Sequence, residues 1–246
     1  MFRSNFPSSQ GYIEYIKNLP INDKPEIFGL HENANITFAQ NETSALLGYL
    51  IHLQPKTAAG KGSTREEVTE STAKFILEKC PNAIDLKTVT SKYPVKYEQS
   101  MNSVLAQEVI RYNRLLMIIH QSLKDLLKAL KGLVVMSQKL EEMANSLFVN
   151  AVPAMWAGKA YPSLKPLAAW IVDLNARMDF MNKWVDDGIP LIFWISGFFF
   201  PQAFLTGTLQ NYARRVSISI DTISFDFQVR TKESIKSHPE MGCYIE

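Results

Sequence analysis

The sequence holds only two cysteines in 246 residues, Cys80 and Cys243. They form neither a metal-ligand pattern nor a disulfide framework, which points to a reducing compartment and intracellular residence. An excess of charge is also missing: 26 basic against 24 acidic side chains leave +2. Such a balance cannot build the positive field by which nucleic-acid and anionic-membrane binders hold a polyanion, so neither is expected as a partner. Met1 to Gln10 contains one basic residue and no continuous apolar h-region, so no secretory signal is expected. Asn35-Ile36-Thr37 and Asn41-Glu42-Thr43 match glycosylation acceptors, but matter only in a secreted protein.

Catalytic and metal-binding signatures are absent as well. Gly60-Lys61-Gly62-Ser63-Thr64 resembles a P-loop only superficially. Position 55 is Pro rather than Gly and Lys61 is followed by Gly62, so the phosphate cradle and the magnesium-binding hydroxyl are both misplaced. His31, His52, His120 and His238 are scattered and form no H-E-x-x-H pair, which removes the starting point for zinc hydrolysis. His120 falls beside an apolar helical stripe and reads as a packing histidine. Ser196-Gly197 lacks the glycine frame of a nucleophile elbow, and Asp186-Asp187 sit at a helix end as solvated carboxylates. No catalytic, cofactor-binding or metal-binding residue is therefore nominated, and no cofactor is expected.

What is present is apolar surface in helical order. Hydrophobic residues make up 46% and charged residues 20%, a globular balance, and the length suits one or two domains with a real core. Residues 188–213 carry no charge until Arg214 and exceed a bilayer's length, yet Pro190, Gly197, Pro201 and Gly207 interrupt them. A lipid-facing backbone must close its hydrogen bonds within one unbroken helix, so the run is expected to be buried core.

Helix signals then follow in order. Tyr12 to Asn18 offers a short helix among turn formers, Thr43 to Leu53 is apolar, and Pro55 to Thr64 reads as a surface loop with an internal boundary nearby. Thr64 with Glu67 three residues on is a capping box, predicting a helix over Arg65 to Lys79, ended by Pro81. Met101, Leu105, Tyr112, Leu116, Ile119 and Leu123 belong to one apolar stripe of a helix from Glu98 to Lys131. At 1.5 Å per residue that helix is about 50 Å long, a strut for a larger assembly or a core helix of an elongated bundle. Further helices are predicted from Ser137 to before Pro153, from Pro166 to Gly188, and from Pro201 to Arg215. The period then changes: Ile218, Ile220, Ile223, Phe225, Phe227 and Val229 alternate as in a half-buried strand, and Tyr244-Ile245-Glu246 reads as another strand cut short. Two strands cannot protect their own edges, so the polypeptide is expected to be a segment of a longer parent or a truncated isoform. The expected fold class is mainly α, a helical domain with one very long helix followed by the start of a small antiparallel β domain.

Several ordered words carry a resemblance. They are Leu19-Pro20; Pro25 to Ala34; Tyr93-Pro94 with Glu98 to Met101, Gln107-Glu108 and Arg111-Tyr112-Asn113; Gly132 to Met136; Tyr161 to Leu167; and Phe193 to Gly207 with Gln210 to Arg214. Over about residues 10 to 229 the sequence resembles the C-terminal region of axonemal dynein heavy chains, the ATP-driven microtubule motors of cilia and flagella. The resemblance implies three parts: the end of an AAA+ lid over 1–40, the helical part of the dynein C-terminal domain over 41–215, and an incomplete β subdomain over 216–246. It implies a non-catalytic segment that packs on the AAA+ ring modules of its parent and supports minus-end-directed motility. The parent would be a microtubule-dependent ATPase of the cytoplasm, cytoskeleton and ciliary axoneme. Microtubules and the dynein intermediate and light chains would be partners only through the parent complex. No catalytic residue transfers with the resemblance. The residues alone leave two other readings open, a stand-alone α-helical adaptor that docks through its long helix and an enzyme with an unrecognised pocket.

Overall fold

A computed structural model describes residues 9–18, 27, 29, 31, 33–53, 64–230, 235 and 237–246; for 48, 49 and 51–53 it describes the backbone alone. The protein divides into two compact units, Met1–Pro55 and Lys56–Glu246. Of the expected loop from Pro55 to Thr64, all but Thr64 lies outside the described residues, and with it most of the P-loop look-alike.

The first unit holds α1 (Ser9–Lys17) and α2 (Asn33–Leu53). The short helix expected at Tyr12 to Asn18 is present, starting three residues earlier. Helix α2 was not expected from Asn33 onward, and it takes in the apolar stretch from Thr43 to Leu53. Its start is tied locally, with the Asn33 N–H donating to His31 Nδ1 at 3.2 Å and the Thr37 hydroxyl donating to the Asn33 carbonyl at 3.3 Å. No described side chain of this unit is buried.

The second unit is a helical bundle with a minimal sheet. Its helices are α3 (Arg65–Lys79), α4 (Leu86–Lys92), α5 (Ser100–Leu130), α6 (Gln138–Phe148), α7 (Ala154–Ala157), α8 (Leu167–Asp187) and α9 (Pro201–Val216). Helix α3 carries the capping box in full: Glu67 N–H donates to Thr64 Oγ1 and Thr64 N–H to the Glu67 carboxylate. Helix α4 escaped the periodicity because it is only two turns long. Asp85 starts it, accepting the N–H groups of Lys87 and Thr88 at 3.1 and 3.2 Å.

The 31-residue α5 is the spine. Leu105, Val109, Tyr112, Leu115, Leu116, Ile119, Leu123 and Leu126 on it are fully buried, so the stripe faces core along most of its length. Gly132 (φ 71°) ends it in a left-handed cap, with Gly132 N–H bonded to the Ala129 carbonyl and Leu133 N–H to that of Lys128. Asn150 (φ 57°) ends α6 similarly and also starts α8, its backbone and side-chain carbonyls accepting the N–H groups of Leu167 and Ala168. At the other end of α8, Lys92 and Tyr93 donate to its last carbonyls, those of Trp184, Val185 and Asp186. A cation there also meets the negative end of the helix dipole.

The uncharged run after Gly188 is no span. It breaks into β1 (Ile192–Phe193), a 3-10 turn at Ile195–Gly197 and the first turns of α9, with Phe193, Phe198 and Phe204 buried in one aromatic cluster with Trp184. Among the described residues no helix is long and apolar enough to cross a membrane.

Two β expectations need correction. The segment 218–229 forms no strand: it makes a 3-10 turn at Ile220–Thr222 and then runs without regular structure, leaving Phe227 and Val229 exposed. Alternation specifies a strand only where a neighbour supplies the ladder and a surface to cover one face, and no described strand pairs with this one. The small sheet is parallel rather than antiparallel, β2 (Tyr244–Ile245) pairing with β1 in the register Ile192 to Tyr244 and Phe193 to Ile245. Fifty residues and α9 separate the two strands, which is the crossover that parallel pairing needs.

Candidate functional site

Three buried or half-buried ties join α5 to its neighbours. The first is Glu108, fully buried on the apolar face of α5. Its carboxylate accepts the N–H groups of Phe199 and, at 3.1 Å, Phe200, and pairs with Arg111 at 3.0 Å. Those amides are free donors at the entrance to α9, where no side-chain group caps the helix locally, so α5 supplies the cap that α9 lacks. Arg111 lies over the Phe200 ring, 5.1 Å from its centroid. Burial pushes the Glu108 carboxyl above its ordinary value, although the two amides and Arg111 favour the charge.

The second tie is at the opposite end of α9. Asn211 Oδ1 accepts the Ser100 N–H at 2.8 Å and the Ser100 hydroxyl donates to Gln210 at 2.9 Å. Arg214 donates to the Tyr97 carbonyl and, at 2.7 Å, to Ser100 Oγ, with its guanidinium 4.1 Å from the Tyr97 ring centroid. Between these ties the helices run antiparallel and approach closely at Gly207, where an added Cβ would stand 3.1 Å from Val104 Cγ2 and 3.3 Å from Met101 Cε.

The third tie centres on α8. Asp173 pairs with Lys165 at 2.5 Å and with Arg177 at 2.7 Å. The Arg177 guanidinium lies 3.8 Å from the Tyr161 centroid and 5.4 Å from that of Trp194. Burial opposes the charge on Asp173, but hydrogen bonds from Lys165 and Arg177 outweigh it and hold the carboxyl below the usual range. The neighbouring Tyr112 hydroxyl donates to the Gly197 carbonyl at 2.7 Å, and burial pushes that phenol well above its ordinary value.

Each buried carboxylate thus faces its own cation, an arrangement for holding elements in place. His120 Nε2 lies 3.1 Å from the Pro81 carbonyl, and His238 lines a groove of about 510 Å³ beside Cys243. Asp186 and Asp187 have exposed side chains. Burial pushes the Cys80 thiol up to about 11. No group of His, Cys, Asp and Glu among the described residues could hold a metal ion. Glu108, Asp173 and Arg177 escaped the sequence reading, though Glu108 was detectable as an acid in phase with Met101, Leu105, Tyr112 and Leu115.

Outside this framework lies an apolar rim. Leu133, Val134, Val135 and Met136, between α5 and α6, are all exposed, Leu133 by 73% and Val135 by 87%. They are four consecutive exposed apolar residues.

Fold, ties and rim define a helical domain with an apolar core, a few buried ion pairs and an exposed apolar rim. The family model for the C-terminal domain of dynein heavy chains matches residues 40–246, and the protein belongs to that family. Dynein axonemal heavy chain 1 of Homo sapiens is 64% identical over 237 residues, 96% of this chain and 6% of that protein. Dynein axonemal heavy chain 3 of Mus musculus is 51% identical over 242 residues, covering 98% and 6%. Dynein axonemal heavy chain 12 of Homo sapiens is 47% identical over 238 residues, covering 96% and 8%. The sequence therefore spans less than a tenth of the length of these relatives.

Proposed function

We propose that this protein acts as the non-catalytic C-terminal segment of an axonemal dynein heavy chain, packing on the AAA+ ring and supporting ATP-driven, minus-end-directed motility in cilia and flagella. In this reading residues 1–40 close the lid of the last ring module, 41–215 form the helical part of the C-terminal domain, and 216–246 begin its β subdomain. ATP hydrolysis and microtubule binding belong to other parts of the heavy chain. Microtubules and the intermediate and light chains are partners through the parent complex, in the axoneme. The observation that carries this reading is the family match over residues 40–246, together with the likeness to several axonemal heavy chains. The exposed Leu133 to Met136 rim supports it physically, because such a surface fits a neighbour better than water. The stand-alone adaptor has no such support.

A complementation experiment tests the proposal. A heavy chain lacking the region that corresponds to this one is expected to bind the separate polypeptide and to regain regulated microtubule gliding. Failure to bind, or ATP hydrolysis by the separate polypeptide at a motor's rate, would overturn it.

A further inference from the structure

Arg214-Arg215-Val216-Ser217-Ile218 is the only place in the sequence where two arginines are adjacent. Two arginines three and two residues before a serine, with an apolar residue after it, are what basophilic serine/threonine kinases read through acidic groups in their peptide cleft. No acidic residue lies between Gly207 and Ile220 to oppose that recognition. The tertiary placement suits modification. Ser217 is exposed at the C-cap of α9 in the left-handed conformation (φ 58°), and its hydroxyl enters none of the described side-chain hydrogen bonds. Arg215 and Val216 are exposed too, and Ile218 and Ser219 beyond the cap belong to no helix or strand. A kinase must open the last turn of α9 and release the Arg214 clasp, a local opening that costs less than global unfolding.

We propose that Ser217 is a phosphorylation site for a basophilic serine/threonine kinase, and that its phosphate loosens the tie between the end of α9 and the start of α5. In the transfer, the Ser217 hydroxyl oxygen attacks the γ-phosphorus of the kinase's ATP and the bond from that phosphorus to the β–γ bridging oxygen breaks. ADP leaves, and the hydroxyl proton passes to the kinase's base. The product carries about two negative charges beside the carbonyl end of a helix, where they repel the helix dipole. Three residues away, Arg214 holds α5 through the Tyr97 carbonyl and ring and through Ser100 Oγ. The phosphate competes for that guanidinium, and the first turn of α5 loses its clasp.

The test incubates the folded protein with ATP and the catalytic subunit of the cyclic-AMP-dependent kinase. Mass spectrometry is expected to place a single phosphate on Ser217. S217G, which keeps the left-handed turn, is expected to abolish that phosphate, and R215Q to slow its transfer by at least about tenfold, the cost of a lost charged contact. Hydrogen exchange at the Ser100 amide, protected in the unmodified protein by Asn211, is expected to quicken several-fold on phosphorylation. Phosphate found only on other residues, equal incorporation into S217G, or incorporation only after unfolding with urea would overturn the site. Unchanged exchange at Ser100 in the phosphorylated protein would overturn the switch.

Discussion

At the scale of single residues, Glu108 and Asp173 are two buried carboxylates with opposite electrostatic outcomes. Burial dominates at Glu108 and raises its carboxyl above the ordinary 4.5. The unfolded state therefore loses that proton first as pH rises, so Glu108's contribution is fullest below 4.5 and declines through its raised folded value. The melting temperature of the wild-type protein relative to E108Q is expected to fall as pH rises across that range, by scanning calorimetry. Asp173 is held below 3.8, so its contribution is present above that value and lost as pH falls through the lowered one. The advantage of the wild-type protein over D173N should accordingly grow with rising pH. A parallel pH trend for both variants would contradict the assignment of burial to one site and cation pairing to the other.

At the scale of elements, the α5–α9 pair is decided by Gly207. Alanine there would gain helix propensity of about 1 kcal/mol, which offsets part of the crowding against Val104 and Met101. A large side group has no such escape: G207L is expected to destabilise the protein by about 1–3 kcal/mol through overpacking, measured by urea denaturation. An unchanged midpoint would show that the helices separate freely, against the ties at both ends of α9. Elements were legible from sequence where a local rule sufficed. Thr64 and Glu67 announce α3, the stripe on α5 announces its buried face, and Pro201 marks the first turn of α9. Helix α4 is too short for periodicity to register, and Asn150 joins α6 to α8 through contacts 17 and 18 residues apart in the sequence, which no local window contains. The alternation over 218–229 was misleading for the complementary reason: it describes a face, not the neighbour that would cover it.

At the scale of the whole molecule, a few charges, Glu108, Asp173 and Arg177 among them, are buried in internal ties, while bare apolar side chains stand at the α5–α6 turn. Replacing Leu133 and Val135 by glutamine is expected to leave the melting temperature within about 1 °C, since uncharged surface substitutions of exposed groups change stability little. The same double variant is expected to weaken binding to the truncated heavy chain by at least about tenfold in pull-down titration, because the apolar area it contributes would be lost. Stability lost together with binding would show that the rim belongs to the protein's own core.

The amino-acid sequence by itself determined the mainly helical class, the buried stripe of the long helix, the capping of α3 and the family words, because each depends on residues within a few turns of one another. Only the tertiary structure decided which carboxylate caps α9, how Arg214 clasps the start of α5, and that β1 and β2 pair in parallel. Those contacts join residues from about fifty to more than a hundred positions apart, and no periodicity records them. They exist because an unmet backbone donor or a buried charge must find its partner wherever packing brings one close.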